Sequence, residues 1–139
     1  MRALSEIEPL IVAGGERIED PSQAAGDLLA LAEDILGHWI VARGETPEEG
    51  EREGFRLLAL QRQGARGDPS FNACRETCRE LAFHYNLISM EPAHPQTAQR
   101  LRMMAMVGMH LHLFVSGKLQ VAGLGDFCCS ARPAHAAGP

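Results

Sequence analysis

The sequence predicts an all-α protein, a four-helix antiparallel bundle, and three observations carry that expectation. The same start signal, a capping residue followed by proline, occurs at Asp20-Pro21, Thr46-Pro47, Asp68-Pro69 and His94-Pro95. Proline has no N–H to leave unpaired in the first turn, and its fixed φ suits that turn. Apolar residues after these signals recur at intervals of three and four, the spacing of one helix face. Strand signals are nearly absent, with residues 118–122 the one short candidate.

Helix ends are marked by Gly44, by Gly64 or Gly67, by Asn86 and by Gly117, giving helices over about 22–43, 47–63, 69–86 and 95–116. The first draws its stripe with Leu28, Ala32, Ile35, Trp39 and Ala42. The second opens on a capping box, Thr46 with Glu49, and on an acidic first turn that suits the helix dipole. Its apolar set, Phe55, Leu58 and Leu60, is thin, which places it at the periphery; Gly50 and Gly54 mark a frayed start or a close contact. In the third helix Phe71, Cys74, Cys78, Leu81 and Tyr85 form the seam.

The fourth helix is apolar nearly all round over residues 103–115. No helix in a four-helix bundle is fully surrounded, so this excess predicts a homo-oligomer, a symmetric dimer whose interface holds Met103, Met106, His110 and Phe114. The alternative cover is the N-terminal segment, with Leu4, Ile7, Leu10, Ile11 and Val12. Residues 1–19, read as irregular, and 118–139, read as a flexible tail, are peripheral to a core over about 20–117 of one domain spanning 1–139.

Composition narrows the function classes. The 139 residues are 45% hydrophobic and 22% charged, with a net charge of -5. That is ordinary for one globular domain. The acidic balance argues against nucleic acid and against an anionic membrane surface. Residues 48–80 carry six Arg against seven acids, no basic footprint for a helix-turn-helix DNA binder. No secretory signal opens the chain, and no apolar run reaches the ~20 residues of a membrane span. The expectation is a cytoplasmic protein with reduced thiols.

The chemical leads are local. Cys74 and Cys78, four apart on a helix, are candidate metal ligands, but they also sit on the apolar seam, where free Cys packs as a small hydrophobe. Cys128-Cys129 would supply two further thiolates if the tail folds back. His38 follows Asp34 by four and His84 follows Glu80 by four, so each carboxylate can orient or join a ligating imidazole, or form a plain polar pair. His110 and His112, two apart, point about 200° away from each other on a helix and cannot share a metal. His38, His84 and one of His110 or His112 are the expected donors for any transition metal, although an up-down bundle carries helix 4's imidazoles to the opposite end. The glycine segments at 64–67 and 122–126 lack the Lys-Ser/Thr of a phosphate loop. The reading is a helical bundle without evident catalytic machinery that acts by binding a protein or a ligand. The alternative is a metal- or haem-binding bundle, a sensor or oxidoreductase, using His, Cys and Met donors; no particular cofactor is indicated.

Overall fold

The computed structural model describes residues 1–123, whose regular structure is helical. Five α-helices follow in order, α1 Leu4–Gly14, α2 Pro21–Ala42, α3 Arg56–Ala65, α4 Arg75–Met90 and α5 Thr97–Val121. A 3-10 turn, Pro69–Cys74, leads directly into α4. The pair Cys128-Cys129 and the rest of the tail lie outside the described residues. Among those described, no helix is long and apolar enough to cross a membrane.

The all-α class agrees with the sequence, but the described residues form five α-helices rather than the four of the expected antiparallel bundle. The N-terminal segment, expected to be irregular, is a helix that packs on α2 and α5 and buries Ile7 and Ile11. Small residues let it approach. A Cβ added at Gly15 would fall 2.7 Å from the Ala105 side chain, and one at Gly14 would fall 2.9 Å from Leu28. With α1, α2 and α4 all against it, α5 buries Leu101, Met104, Val107, Leu111 and Val115. The extra helix therefore accounts for much of the all-round apolar character that had pointed to a dimer.

The expected helix over 47–63 begins only at Arg56. Ahead of it Glu53 (φ 55°) and Gly54 (φ 84°) make a two-residue turn, closed by reciprocal 3.0 Å backbone hydrogen bonds between Arg52 and Phe55. Two consecutive left-handed residues cannot continue a right-handed helix. Gln63, buried on α3, replaces the lost cap: its amide donates to the Thr46 carbonyl (2.8 Å) and accepts from the Glu48 N–H (2.9 Å). Residues 45–55 thus form a strap pinned to α3.

Two other boundaries move. The third helix starts as the 3-10 turn and runs past Asn86 to Met90. The fourth runs past Gly117 to Val121, absorbing most of the strand candidate. Asp20 caps α2 as expected, accepting from the Gln23 N–H at 3.3 Å. The His94 ring accepts from the Gln96 N–H at 3.0 Å, just ahead of α5.

The centre is aromatic. Trp39 and Phe71 stack with centroids 5.1 Å apart, and Phe114 leans on Phe71 at 5.7 Å. Gly64 makes that stack possible, since a Cβ there would lie 2.7 Å from the Phe71 ring, and its carbonyl accepts the Trp39 indole N–H at 3.0 Å.

Candidate functional site

Between α3 and the 3-10 turn with α4 lies an open groove of about 600 Å³. One wall is a single face of α3, carrying Leu58, Gln61, Arg62, Ala65 and Arg66 at helical spacing. The other carries Asn72, Arg75, Glu76 and Arg79, again three or four apart, and the strap adds Arg52. Leu58 and Gln61 are buried at its floor. The Gln61 amide donates to the Phe71 carbonyl at 3.2 Å and so ties the two walls together.

Among the described residues, five guanidiniums converge on this groove and Glu76 is the single acid lining it. Two of the five are engaged at the rim. Arg79 grips Glu53 of the strap through both terminal nitrogens (3.1 and 3.0 Å), and Arg66 meets Glu48 at 2.9 Å. The Arg79 fork holds the Glu53 carboxyl below its ordinary range. Arg56 anchors the strap from behind, its Nε–H donating to the Glu48 carbonyl at 2.7 Å. Among the described residues, Arg52, Arg62 and Arg75 have no carboxylate within ion-pair distance. Subtracting Glu76, Glu48 and Glu53 from five guanidiniums leaves two uncompensated positive charges, in a chain whose net charge is -5.

The residues selected from the sequence as metal donors are not gathered. His38 Nε2–H donates to the Arg2 carbonyl at 2.6 Å, while Asp34 takes the Arg2 N–H and guanidinium at 3.1 and 3.0 Å. The Asp34/His38 pair thus clamps the chain ahead of α1. His112 is buried and works on the same segment, its Nε2–H donating to the Leu4 carbonyl at 3.1 Å. His84 is half-buried beside Phe83; burial lowers its pKa, with Glu80 pulling the other way. His110 is exposed. Cys74 and Cys78 are buried together on the seam, with the Cys74 thiol donating to the Phe71 carbonyl at 3.3 Å. Hydrogen bonding from Cys78 lowers the Cys74 pKa, and that bond together with burial raises Cys78 well above the usual thiol. Among the described residues, no three His, Cys, Asp or Glu side chains lie close enough to hold a metal ion.

Of the residues expected at an oligomer interface, Met103, Met106 and His110 are exposed, whereas Phe114 turns inward onto Phe71. Met106 lines a smaller, apolar hollow of about 340 Å³ with Val12, Ala105 and Met109, bounded by Glu16 and Arg102.

The arginines are what sequence reasoning missed. A readable signal was there: twelve of the thirteen basic residues are Arg, and Arg62/Arg66 and Arg75/Arg79 are both spaced by four. The chain matches no protein-family model, no curated protein and no solved structure.

Proposed function

We propose that the chain is a non-catalytic helical module that binds an anionic ligand in the groove between α3 and α4. The observation that carries the reading is the convergence of five guanidiniums on one groove of a net-acidic chain. Guanidinium is planar, permanently charged and matched to oxyanions through paired N–H donors. The buried Gln61 ties α3 to the 3-10 turn that leads into α4, so the walls that carry the donors are set before a ligand arrives. One short, open groove suits a small ligand rather than a nucleic-acid track or a membrane surface.

The test is a titration of the full chain with phosphate, sulfate and acetate at low salt, followed by calorimetry. Saturable binding that weakens with salt and is lost in Arg62→Ala and Arg75→Ala supports the reading. Heats that are equal in wild type and variants contradict it.

A second reading, self-association through α1 and α5, rests on the hollow around Met106. Glu16, just past α1, and Arg102, on α5, both border it, and neither has an ion-pair partner among the described residues. A two-fold axis at the hollow that brings Glu16 of each copy to the partner's Arg102 would make the face self-complementary. Light scattering tests it: a dimer that Met106→Glu dissociates supports this reading, and a monomeric wild type at high micromolar concentration removes it. The metal- or haem-binding alternative has a narrower basis, the unpartnered Nδ1 atoms of His84 and His112.

A further inference from the structure

We infer that the occupant of the arginine groove is a small organic phosphate monoester, bound as its dianion, and that the acidic strap selects it by excluding carboxylates. The inference rests on the anion-binding reading above and names its ligand class.

The argument starts from the carboxylates already there. Glu48 and Glu53 reach the groove from the strap, and Glu76 lines it from α4. Each is held beside the arginines by the fold itself, so it competes at an effective concentration on the order of mM. An incoming carboxylate of charge -1 offers nothing that these do not, and it meets Arg66 and Arg79 already paired. A ligand that wins must carry more charge and more acceptors. A phosphate monoester does both, with charge close to -2 near neutral pH and three terminal oxygens.

The charge left over points the same way. Two uncompensated positive charges match one dianion. They are too few for a chain of phosphates. Arg52, Arg62 and Arg75, one from each wall of the groove and one from the strap, are the donors without a carboxylate. Three forks carried by three different elements suit a tetrahedral group better than a planar one. Volume decides between sources of the group. About 600 Å³ lies within the range of small-molecule pockets and leaves room for an organic portion against Leu58 and Ala65. A phosphopeptide or a strand of nucleic acid would instead need an extended track.

Isothermal titration of the full chain with phenyl phosphate, inorganic phosphate and benzoate, at low salt, tests the inference. Phenyl phosphate is expected to bind, with inorganic phosphate weaker and benzoate weaker by roughly thirty-fold or more, as fits a dianion against a monoanion. Its affinity should fall as pH drops through about 6, where the second proton returns to the phosphate. Arg62 and Arg75 are exposed, so Arg62→Ala and Arg75→Ala should fold and weaken phenyl phosphate by roughly ten-fold or more each. The double variant Glu48→Gln, Glu53→Gln tests the strap directly: benzoate should gain more than phenyl phosphate, narrowing the ratio. Equal affinity for benzoate and phenyl phosphate, or an unchanged ratio in that variant, overturns the inference. So does equal binding of inorganic and phenyl phosphate, or binding confined to a phosphoserine peptide or a single-stranded oligonucleotide. If no anion binds at all, inorganic phosphate included, the anion-binding reading itself fails.

Discussion

The α1–α5 contact and the α3–α4 groove are both places where two helices meet, and they are built from opposite materials. Between α1 and α5 the chains close on Gly15, Ala105 and Gly108, and Ile7 and Ile11 fill what remains. Between the outer faces of α3 and α4 stand arginines, whose like charges keep the surface open while the tie from Gln61 to Phe71 keeps the walls in place. The first arrangement buries apolar surface and stabilises the fold. The second leaves charge unspent and so remains available to a ligand. Stability and binding are therefore expected to separate under mutation.

The sharpest way to break the comparison lies in the closed contact. Ile7→Ala should cost about 2 to 5 kcal/mol in denaturant unfolding, the same range as Leu81→Ala in the central seam. Both side chains are fully buried. A change below about 0.5 kcal/mol for Ile7→Ala would return the N-terminal helix to the periphery. Next comes the aromatic stack. Gly64→Ala pushes a methyl into Phe71 and Trp39, and should cost about 1 to 3 kcal/mol by overpacking; an unchanged melting temperature would show that the stack yields freely. In the groove, Arg62→Ala and Arg75→Ala should each alter stability by no more than about 0.5 kcal/mol while weakening anion binding by roughly ten-fold or more. A large loss of stability there would make the arginines structural and erase the contrast.

Acid sharpens it further. His84 has its pKa lowered by burial below the ordinary 6.5, so its neutral form belongs to the fold. Its contribution is present above the unfolded value and is lost as pH falls through the folded one. His84→Gln should flatten that part of the stability profile below pH 6.5, without touching anion binding. A profile identical to wild type would assign the acid sensitivity elsewhere.

The helical class was legible because start signals and apolar spacing are local properties, and Asp20 caps α2 as its sequence promises. Helix α1 was not legible, because Ala3 supplies no side-chain cap and Pro9 interrupts the pattern. Thr46 and Glu49 misled for a different reason. The box was present, but the Glu53-Gly54 turn intervened, and long-range bonds from Gln63 captured the Thr46 and Glu48 backbones. Without α1 as a formed helix, the apolar excess of α5 points first to another copy, with the N-terminal segment only as the alternative cover. The groove was hidden by counting: six Arg against seven acids over residues 48–80 sums to nothing. The sum ignores direction, since Arg62 and Arg66 share a face with Leu58, and Arg75 and Arg79 share a face with Asn72. Only tertiary packing makes those two faces the walls of one groove. The histidines illustrate the reverse, for His38 and His112 sit far apart in sequence and yet serve the same segment, through the Arg2 and Leu4 carbonyls.

The most direct test of the central claim is a two-dimensional nitrogen–proton spectrum of the folded chain, recorded through the arginine Nε–H region during a titration with inorganic phosphate. The account predicts saturable shifts at Arg62 and Arg75, smaller ones at Arg66 and Arg79 as the strap pairs are disturbed, and none at Arg102 beside the α1–α5 hollow. Shifts concentrated at Arg102, or no saturable shift in the groove, would contradict it.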